Sequence, residues 1–258
     1  MKPGTRATYL AGAVLLIFAA GADAKRIDKI APDLKAGDEA QDYIVRYKDN
    51  RNVDAVNKFE KRKGQLRQEL KLIQSEVQNL SGAAVSELSD DPDVEYISPN
   101  RMVGASAVAD PAVVDYFYET STAKIARSYG FTGKNIGVAI IDSGVFDHND
   151  LKGTDNGNSI IVYRENFVKG ESDTKDMFGH GTHVAGVLAG NGKLSSGGSQ
   201  YRYTFRGVAP NVRIVSLRVL NKDGVGTDAA VISAIDRAIQ LKSKYNIRVI
   251  NLSVGRRV

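Results

Sequence analysis

NIGVAIID, residues 135–142, is an almost uninterrupted apolar run that ends in a carboxylate. Such a run is typical of a strand that is buried on both faces of a parallel sheet. Further strands are predicted at residues 159–163, 212–220 and 247–254, and helices at residues 180–189 and from Thr227 or Asp228 to Leu241. Strands that alternate with helices in this way predict an α/β fold with a parallel sheet over residues 119–258.

Asp142 is the last residue of the buried run, at the carboxyl end of the predicted strand. Ligands and catalytic residues of parallel sheets lie at the carboxyl ends of the strands. Ser143 and Gly144 follow it, and the glycine permits a sharp exit turn. Asp-Ser-Gly is by itself also an ordinary turn sequence. Asp142 is therefore a candidate for a fixed carboxylate at the edge of a cleft, and it needs a partner to have a role.

A candidate partner lies in GHGTHVAG, residues 179–186, at the predicted start of a helix. A helix N-terminus disfavours a charged imidazolium, so His180 would be held neutral, as a general base requires. A zinc site that uses His180 and His183 is the alternative, although the glutamate of H-E-x-x-H is missing and no third ligand is evident. His183 is expected to be a structural histidine that packs under the helix.

Three stretches, IIDSGV (140–145), HGTHVAG (180–186) and NLSVG (251–255), together resemble the subtilisin-like serine peptidases. The order Asp before His is the order of that family and differs from those of the chymotrypsins and the α/β-hydrolases. The resemblance implies that Asp142 orients the imidazole and stabilises the imidazolium, while His180 acts as the general base. It also implies that the predicted parallel sheet belongs to a subtilisin-like catalytic domain, present here incompletely.

The same resemblance implies a groove in which an extended peptide adds as a β-strand between two edges. One edge would contain Gly224 and Gly226, and the other Ser253 and Gly255. Without the resemblance these residues are a plain loop and a plain strand end. Asp150 lies in a stretch similar to a calcium-ligand region of relatives, but the preceding residues differ in length and no metal is assigned. We expect no cofactor in the chemistry and leave structural calcium in the complete enzyme open.

The serine nucleophile is expected outside this chain. The Asp and Ser of subtilisin are roughly 190 residues apart, which would place the serine about 70 residues after Val258. No stretch similar to Gly-Thr-Ser-Met occurs in these 258 residues. We therefore expect an amino-terminal part of a longer precursor, inactive by itself. The alternative is a non-catalytic pseudo-peptidase that binds peptides in the same groove.

Residues 1–24 are predicted to be a secretory signal peptide that is cut after Ala24. Lys2 and Arg6 precede an apolar run over residues 10–20, and small residues follow it. A membrane anchor is the alternative, but the run is shorter than the about 20 residues that a spanning helix needs. The mature protein is therefore expected to be secreted and extracellular, with no membrane attachment after signal cleavage.

Residues 25–103 are predicted to form a small α+β domain with the β-α-β-β-α-β order of ferredoxin-like folds. The strands are expected at residues 42–48, 69–73, 76–80 and 94–98, and the helices at residues 53–63 and 81–90. The two middle strands are short, so one longer helix is the alternative. This unit resembles the inhibitor-type propeptide of the same family, which assists folding and blocks the cleft. Residues 104–118 are expected to be an exposed linker.

The amino-acid composition excludes some classes of protein and of functional site. Of the 258 residues, 42% are apolar and 25% are charged, which excludes wholesale disorder. The absence of cysteine excludes disulfides, thiolate zinc sites and a cysteine nucleophile. The net charge of +5 comes without a dense Lys/Arg cluster and so does not indicate nucleic-acid binding. The expected partners are protein or peptide substrates and the chain's own propeptide.

Overall fold

The computed structural model describes residues 29–34, 39–48, 65–105, 121–154, 156–196 and 204–255. The predicted signal peptide, the predicted helix at residues 53–63 and most of the predicted linker lie outside these ranges. None of the helices inside them combines the length and the apolar composition that a membrane crossing requires.

The first sheet contains four antiparallel strands, β1 (Gln41–Tyr47), β2 (Gln65–Leu70), β3 (Ser75–Leu80) and β4 (Val94–Pro99), in the order β2-β3-β1-β4. The strand predicted at residues 69–73 was placed too late, because β2 ends at Leu70 and Lys71–Ile73 form a short 3-10 helix. Gln74 then adopts a left-handed conformation with φ 51°, which turns the chain back so that β3 pairs with β2. One longer helix over this region is therefore excluded.

Helix α1 (Gly82–Ser89) follows β3, close to the predicted residues 81–90. Ser81 begins it as the N-cap, since its Oγ accepts a hydrogen bond from the backbone N–H of Ala84. The helix contributes Val85 and Leu88 to a core cluster. The strands contribute the remaining large side chains of that cluster, Tyr43, Val45, Tyr47, Leu80, Val94 and Ile97.

Residues 121–255 contain helix α2 (Ala123–Ser128), strands β6 (Gly137–Asp142) and β7 (Ile161–Asn166), helix α3 (His180–Ala189), strands β8 (Arg213–Arg218) and β9 (Val225–Thr227), helices α4 (Asp228–Gln240) and α5 (Lys242–Tyr245), and strands β10 (Ile247–Leu252) and β11 (Val254–Gly255). Strands β6, β7, β8 and β10 form a parallel sheet in the order β10-β6-β8-β7. The predicted α/β fold with a parallel sheet is confirmed. Helix α2 was not predicted.

Strand β6 lies at the centre of this part and is buried along its whole length. Val138 and Ile140 pack in the core cluster that includes α3, whereas Ala139 and Ile141 pack in the cluster that includes α4. Successive side chains of a strand point to opposite faces, so a strand with a helix on each face needs apolar residues at every position. This is the physical reason for the uninterrupted run in the sequence.

Strand β5 (Met102–Ala105) pairs antiparallel with both β9 and β11, in the order β11-β5-β9. It crosses the boundary that was predicted between residues 25–103 and 104–118. The first sheet reaches the second part as well, since Ile44, Leu70 and Val77 pack with Ala229 of α4. The predicted first domain, residues 25–103, and the predicted α/β domain, residues 119–258, are therefore joined by a small sheet and by an apolar contact.

Candidate active site

Asp142 and His180, which are 38 residues apart in the chain, meet at the carboxyl edge of the parallel sheet. The Nδ1 atom of His180 lies 2.8 Å from both Oδ1 and Oδ2 of Asp142. The Asp142 side chain is completely buried, and that of His180 is 10% exposed. Because a neutral imidazole carries one N–H, this contact places it on Nδ1 and leaves the lone pair of Nε2 free to accept a proton.

The close approach of α3 to the end of β6 depends on Gly181. A Cβ atom at this position would overlap the carbonyl oxygen of Gly144 and lie 3.1 Å from Cβ of Asp142. The preceding Gly179 has φ 97°, a left-handed conformation in which glycine is not strained. The two glycines that flank His180 therefore let the helix start directly against the strand that carries Asp142.

The structure corrects the expectation for His183. Its side chain is exposed and does not pack under the helix. Helix α3 contacts the sheet through Gly181, Ala185 and Ala189, which recur at a spacing of four residues, and His183 lies off this stripe. His183 instead lines an open cavity of about 420 Å³ together with His148 and Asp150.

The zinc alternative gains no support from this geometry. Nδ1 of His180 is already engaged by the carboxylate of Asp142. Within the ranges that the structure covers, no group of three His, Cys, Asp or Glu side chains is arranged to hold a metal ion. Asp150, the residue of the calcium-like stretch, accepts a hydrogen bond from the backbone N–H of Leu194 at 2.9 Å through its Oδ1.

Three of the four predicted groove residues, Gly224, Gly226 and Gly255, lie beside strand β5. Val103 is opposite Gly226 on one edge, and Gly104 is opposite Gly255 on the other. Gly224 forms the turn before β9, with φ 72°. The structure therefore brings these three glycines together around a strand of the same chain.

Ser253 connects β10 to β11. It lines a cavity of about 530 Å³ together with His180.

Sequence reasoning missed two residues that hold the segment leading to His180. Asp176, four residues before His180, caps the start of α3 with its carboxylate. Arg218, at the end of β8, is completely buried and bonds to Glu171 and Asp173 of the same segment. An acidic residue shortly before a helix that begins at glycine is a signal for the first. An arginine between apolar residues of a predicted buried strand, as in Leu217-Arg218-Val219, is a signal for the second.

Comparison with known proteins gives a consistent picture. The model of the subtilase family matches residues 133–258. Subtilisin E of Bacillus subtilis (strain 168) is 30% identical over 220 residues, which cover 83% of this chain and 51% of subtilisin E. Minor extracellular protease Epr of the same organism is 31% identical over 182 residues, which cover 66% of this chain and 25% of Epr. The chain thus spans between a quarter and about half of these relatives.

Among solved structures, fervidolysin from Fervidobacterium pennivorans, a keratinolytic enzyme related to subtilisin, superposes with a TM-score of 0.59. The two share 20% identity, and the match covers 86% of this chain and 37% of fervidolysin. At this identity the likeness concerns the fold alone, and the parallel sheet described above agrees with it. The family model and the homologous subtilisins make residues 133–258 similar to the subtilases, a family of serine peptidases. The pair of Asp142 and His180 at the edge of the parallel sheet agrees with this similarity.

Proposed function

We propose that the complete protein is a secreted serine endopeptidase in which Asp142 and His180 act with a serine that lies after Val258. The observation that carries this proposal is the contact of His180 Nδ1 with both oxygens of a buried carboxylate, at 2.8 Å each. This chain contains the acid and the base of the mechanism without the nucleophile, so we expect it to be inactive by itself.

The geometry gives each of the two residues a defined task. His180 accepts the serine proton at Nε2 as the hydroxyl oxygen attacks the peptide carbonyl, and later donates that proton to the leaving amine. Asp142 keeps the imidazole in the required tautomer and stabilises the imidazolium that forms. Burial strengthens this stabilisation, because charges interact more strongly away from water. The proposed chemistry uses no cofactor.

The first part of the chain is proposed to act as a ferredoxin-like inhibitory propeptide. The strand order β2-β3-β1-β4 supports the fold, and strand β5 supports the inhibition, because it occupies the groove between β9 and β11. A substrate would have to add as a strand at the same edges. The side chain of Val103 is buried in this position.

Contacts at the start of α4 favour the same role. The backbone N–H groups of Asp228 and Ala229 donate to the carbonyl oxygen of Arg101 and to Oδ1 of Asn100, at 3.0 and 3.1 Å. These two N–H groups begin the helix and would otherwise lack a partner within it. The segment that enters the groove is thereby attached to the helix beside it.

The experiment is to express the complete reading frame as wild type and as His180→Ala, and to follow maturation on a gel together with peptide hydrolysis. The wild type should lose its propeptide and hydrolyse peptides. His180→Ala should accumulate as a precursor that begins at Lys25, because no other group can take the serine proton. An organophosphonate that labels reactive serines should react with the mature enzyme and leave the 258-residue chain unlabelled.

Two results would contradict the proposal. A His180→Ala precursor that matures and hydrolyses peptides like the wild type would remove the histidine from the mechanism. A complete reading frame that binds peptides without cleaving them, and that carries no reactive serine, would favour the non-catalytic alternative.

A further inference from the structure

Asp176 lies in the segment between β7 and α3, and its carboxylate accepts five hydrogen bonds. Oδ1 accepts from Ser143 Oγ at 2.8 Å and from the backbone N–H groups of Phe178 and Gly179 at 3.1 and 2.7 Å. Oδ2 accepts from the backbone N–H and from Oγ1 of Thr182, at 2.8 and 2.5 Å. Both oxygens are therefore fully used, and each one binds the first turn of α3 or the residue before it.

This carboxylate connects the helix that carries His180 with the strand end that carries Asp142. Ser143 directly follows Asp142, and besides donating to Asp176 its Oγ accepts from the backbone N–H of Gly181 at 2.9 Å. Thr182 makes a second connection, because its Oγ1 accepts from the backbone N–H of Phe146 at 2.9 Å. The network therefore has members on both sides of the Asp142–His180 contact.

The helix depends on this outside support. Its N-cap is Gly179, which has no side chain to accept a hydrogen bond. The N–H groups of the first helical turn have no acceptor within a helix and need one from elsewhere. Ser143 and Asp176 supply acceptors to Gly181 and Thr182. A carboxylate is suited to this place, because negative charge is favourable at a helix N-terminus and its hydrogen bonds are charge-assisted.

We infer that Asp176 is a positioning residue that sets the location of His180 against Asp142. His180 is the first residue of α3, between Gly179, which binds Asp176, and Gly181, which binds Ser143. The ring can meet both oxygens of Asp142 only while this turn is held against the strand end. The effect on catalysis rests on the proposed function, whereas the effect on the Asp142–His180 contact does not.

The test uses the 258-residue chain and the low-field proton NMR signal of a histidine Nδ1–H that is bonded to a carboxylate. The chain has three histidines, so ¹⁵N labelling of histidine leaves three residues from which the signal could come. The signal is assigned to the Asp142–His180 contact if it is lost in His180→Gln and altered in Asp142→Asn. Asp176→Ala should accelerate exchange of this proton with water at least tenfold or remove the signal. Asp176→Asn, which keeps one acceptor oxygen, should have a smaller effect in the same direction.

Thr182 supplies a matched pair of variants. Thr182→Ser keeps the hydroxyl that joins Asp176 to the N–H of Phe146 and should retain the wild-type exchange rate. Thr182→Val has nearly the same shape without the hydroxyl and should accelerate exchange severalfold. Ser81→Ala is the control for stability, because it removes the N-cap of a distant helix, α1, and should lower the melting temperature without changing the signal.

The inference is wrong if Asp176→Ala lowers the melting temperature as Ser81→Ala does while the His180 signal and its exchange stay as in the wild type. Asp176 would then be a helix cap only. A signal that survives Asp142→Asn unchanged is a separate result, since it would deny the Asp142–His180 contact and overturn the proposed function along with this inference.

In the complete enzyme, Asp176→Asn should lower kcat at least tenfold, with KM changed by less than about twofold. This is the split expected when the positioning of His180 is impaired and the contacts with substrate remain.

Discussion

Glu171→Gln tests how the buried guanidinium of Arg218 holds the segment that leads to His180. The Arg218 side chain is completely buried, while that of Glu171 is 37% exposed. Nη2 of Arg218 donates a hydrogen bond to Oε2 of Glu171 at 2.5 Å. Arginine stays protonated in proteins, so the substitution leaves a buried positive charge without its charged partner.

The size of the effect follows from what remains around the guanidinium. Removing one partner of a buried ion pair costs about 3–5 kcal/mol when both groups are desolvated. Glu171 is partly exposed, and the backbone oxygens of Asp173 and Leu220 still accept from Arg218 at 2.7 and 3.2 Å. We therefore expect the free energy of unfolding to fall by about 1.5–3 kcal/mol. For a chain of this length that is a decrease of about 3–12 °C in melting temperature.

The assay is thermal unfolding of the chain followed by circular dichroism. Lys175→Gln is the matched control, because it removes an exposed ion pair with Asp173, 4.0 Å long, in the same segment. That pair should contribute less than about 1 kcal/mol. If Glu171→Gln melts at the same temperature as Lys175→Gln, the contact with Arg218 does not stabilise the segment and the reasoning is refuted.

Three further predictions follow from the fold and the site. Purified residues 25–103 should inhibit the mature enzyme in trans at micromolar concentration, about −8 kcal/mol of binding free energy, and lack of inhibition at that level would contradict the propeptide role. His183→Ala should change the free energy of unfolding by less than about 0.5 kcal/mol, because the side chain is exposed; a loss above about 2 kcal/mol in chemical denaturation would contradict its placement. Burial and a hydrogen bond to Glu165 raise the pKa of Tyr163 to about 12. The unfolded chain therefore loses the phenol proton at a lower pH than the folded chain, and the free energy of unfolding should fall as the pH rises from about 10 to about 12. Absorbance titration of the wild type and of Tyr163→Phe shows whether one tyrosine loses its proton at a higher pH than the others. Identical titration curves for the two proteins would contradict the raised pKa of Tyr163.

Local patterns predicted the elements whose burial is uniform or strictly periodic. Helix α3 begins and ends where it was predicted, and β6 lies within the apolar run at residues 135–142. The strand at residues 69–73 was misplaced, because the sequence QLRQEL of β2 is largely exposed and lacks an apolar period. A strand whose side chains face solvent is identified by its pairing with β3, which is not a local property.

The sequence by itself determined that an aspartate ends a buried strand and that a glycine-flanked histidine begins a helix. Only the tertiary structure decided that these residues meet, that His183 faces away from the sheet, and that β5 lies between β9 and β11. The physical reason is that a periodic pattern gives the spacing of residues along an element but not the rotation of the element against its neighbours. For α3 that rotation depends on Gly181, which lies against the strand end, and on the acceptors that Ser143 and Asp176 bring from outside the helix.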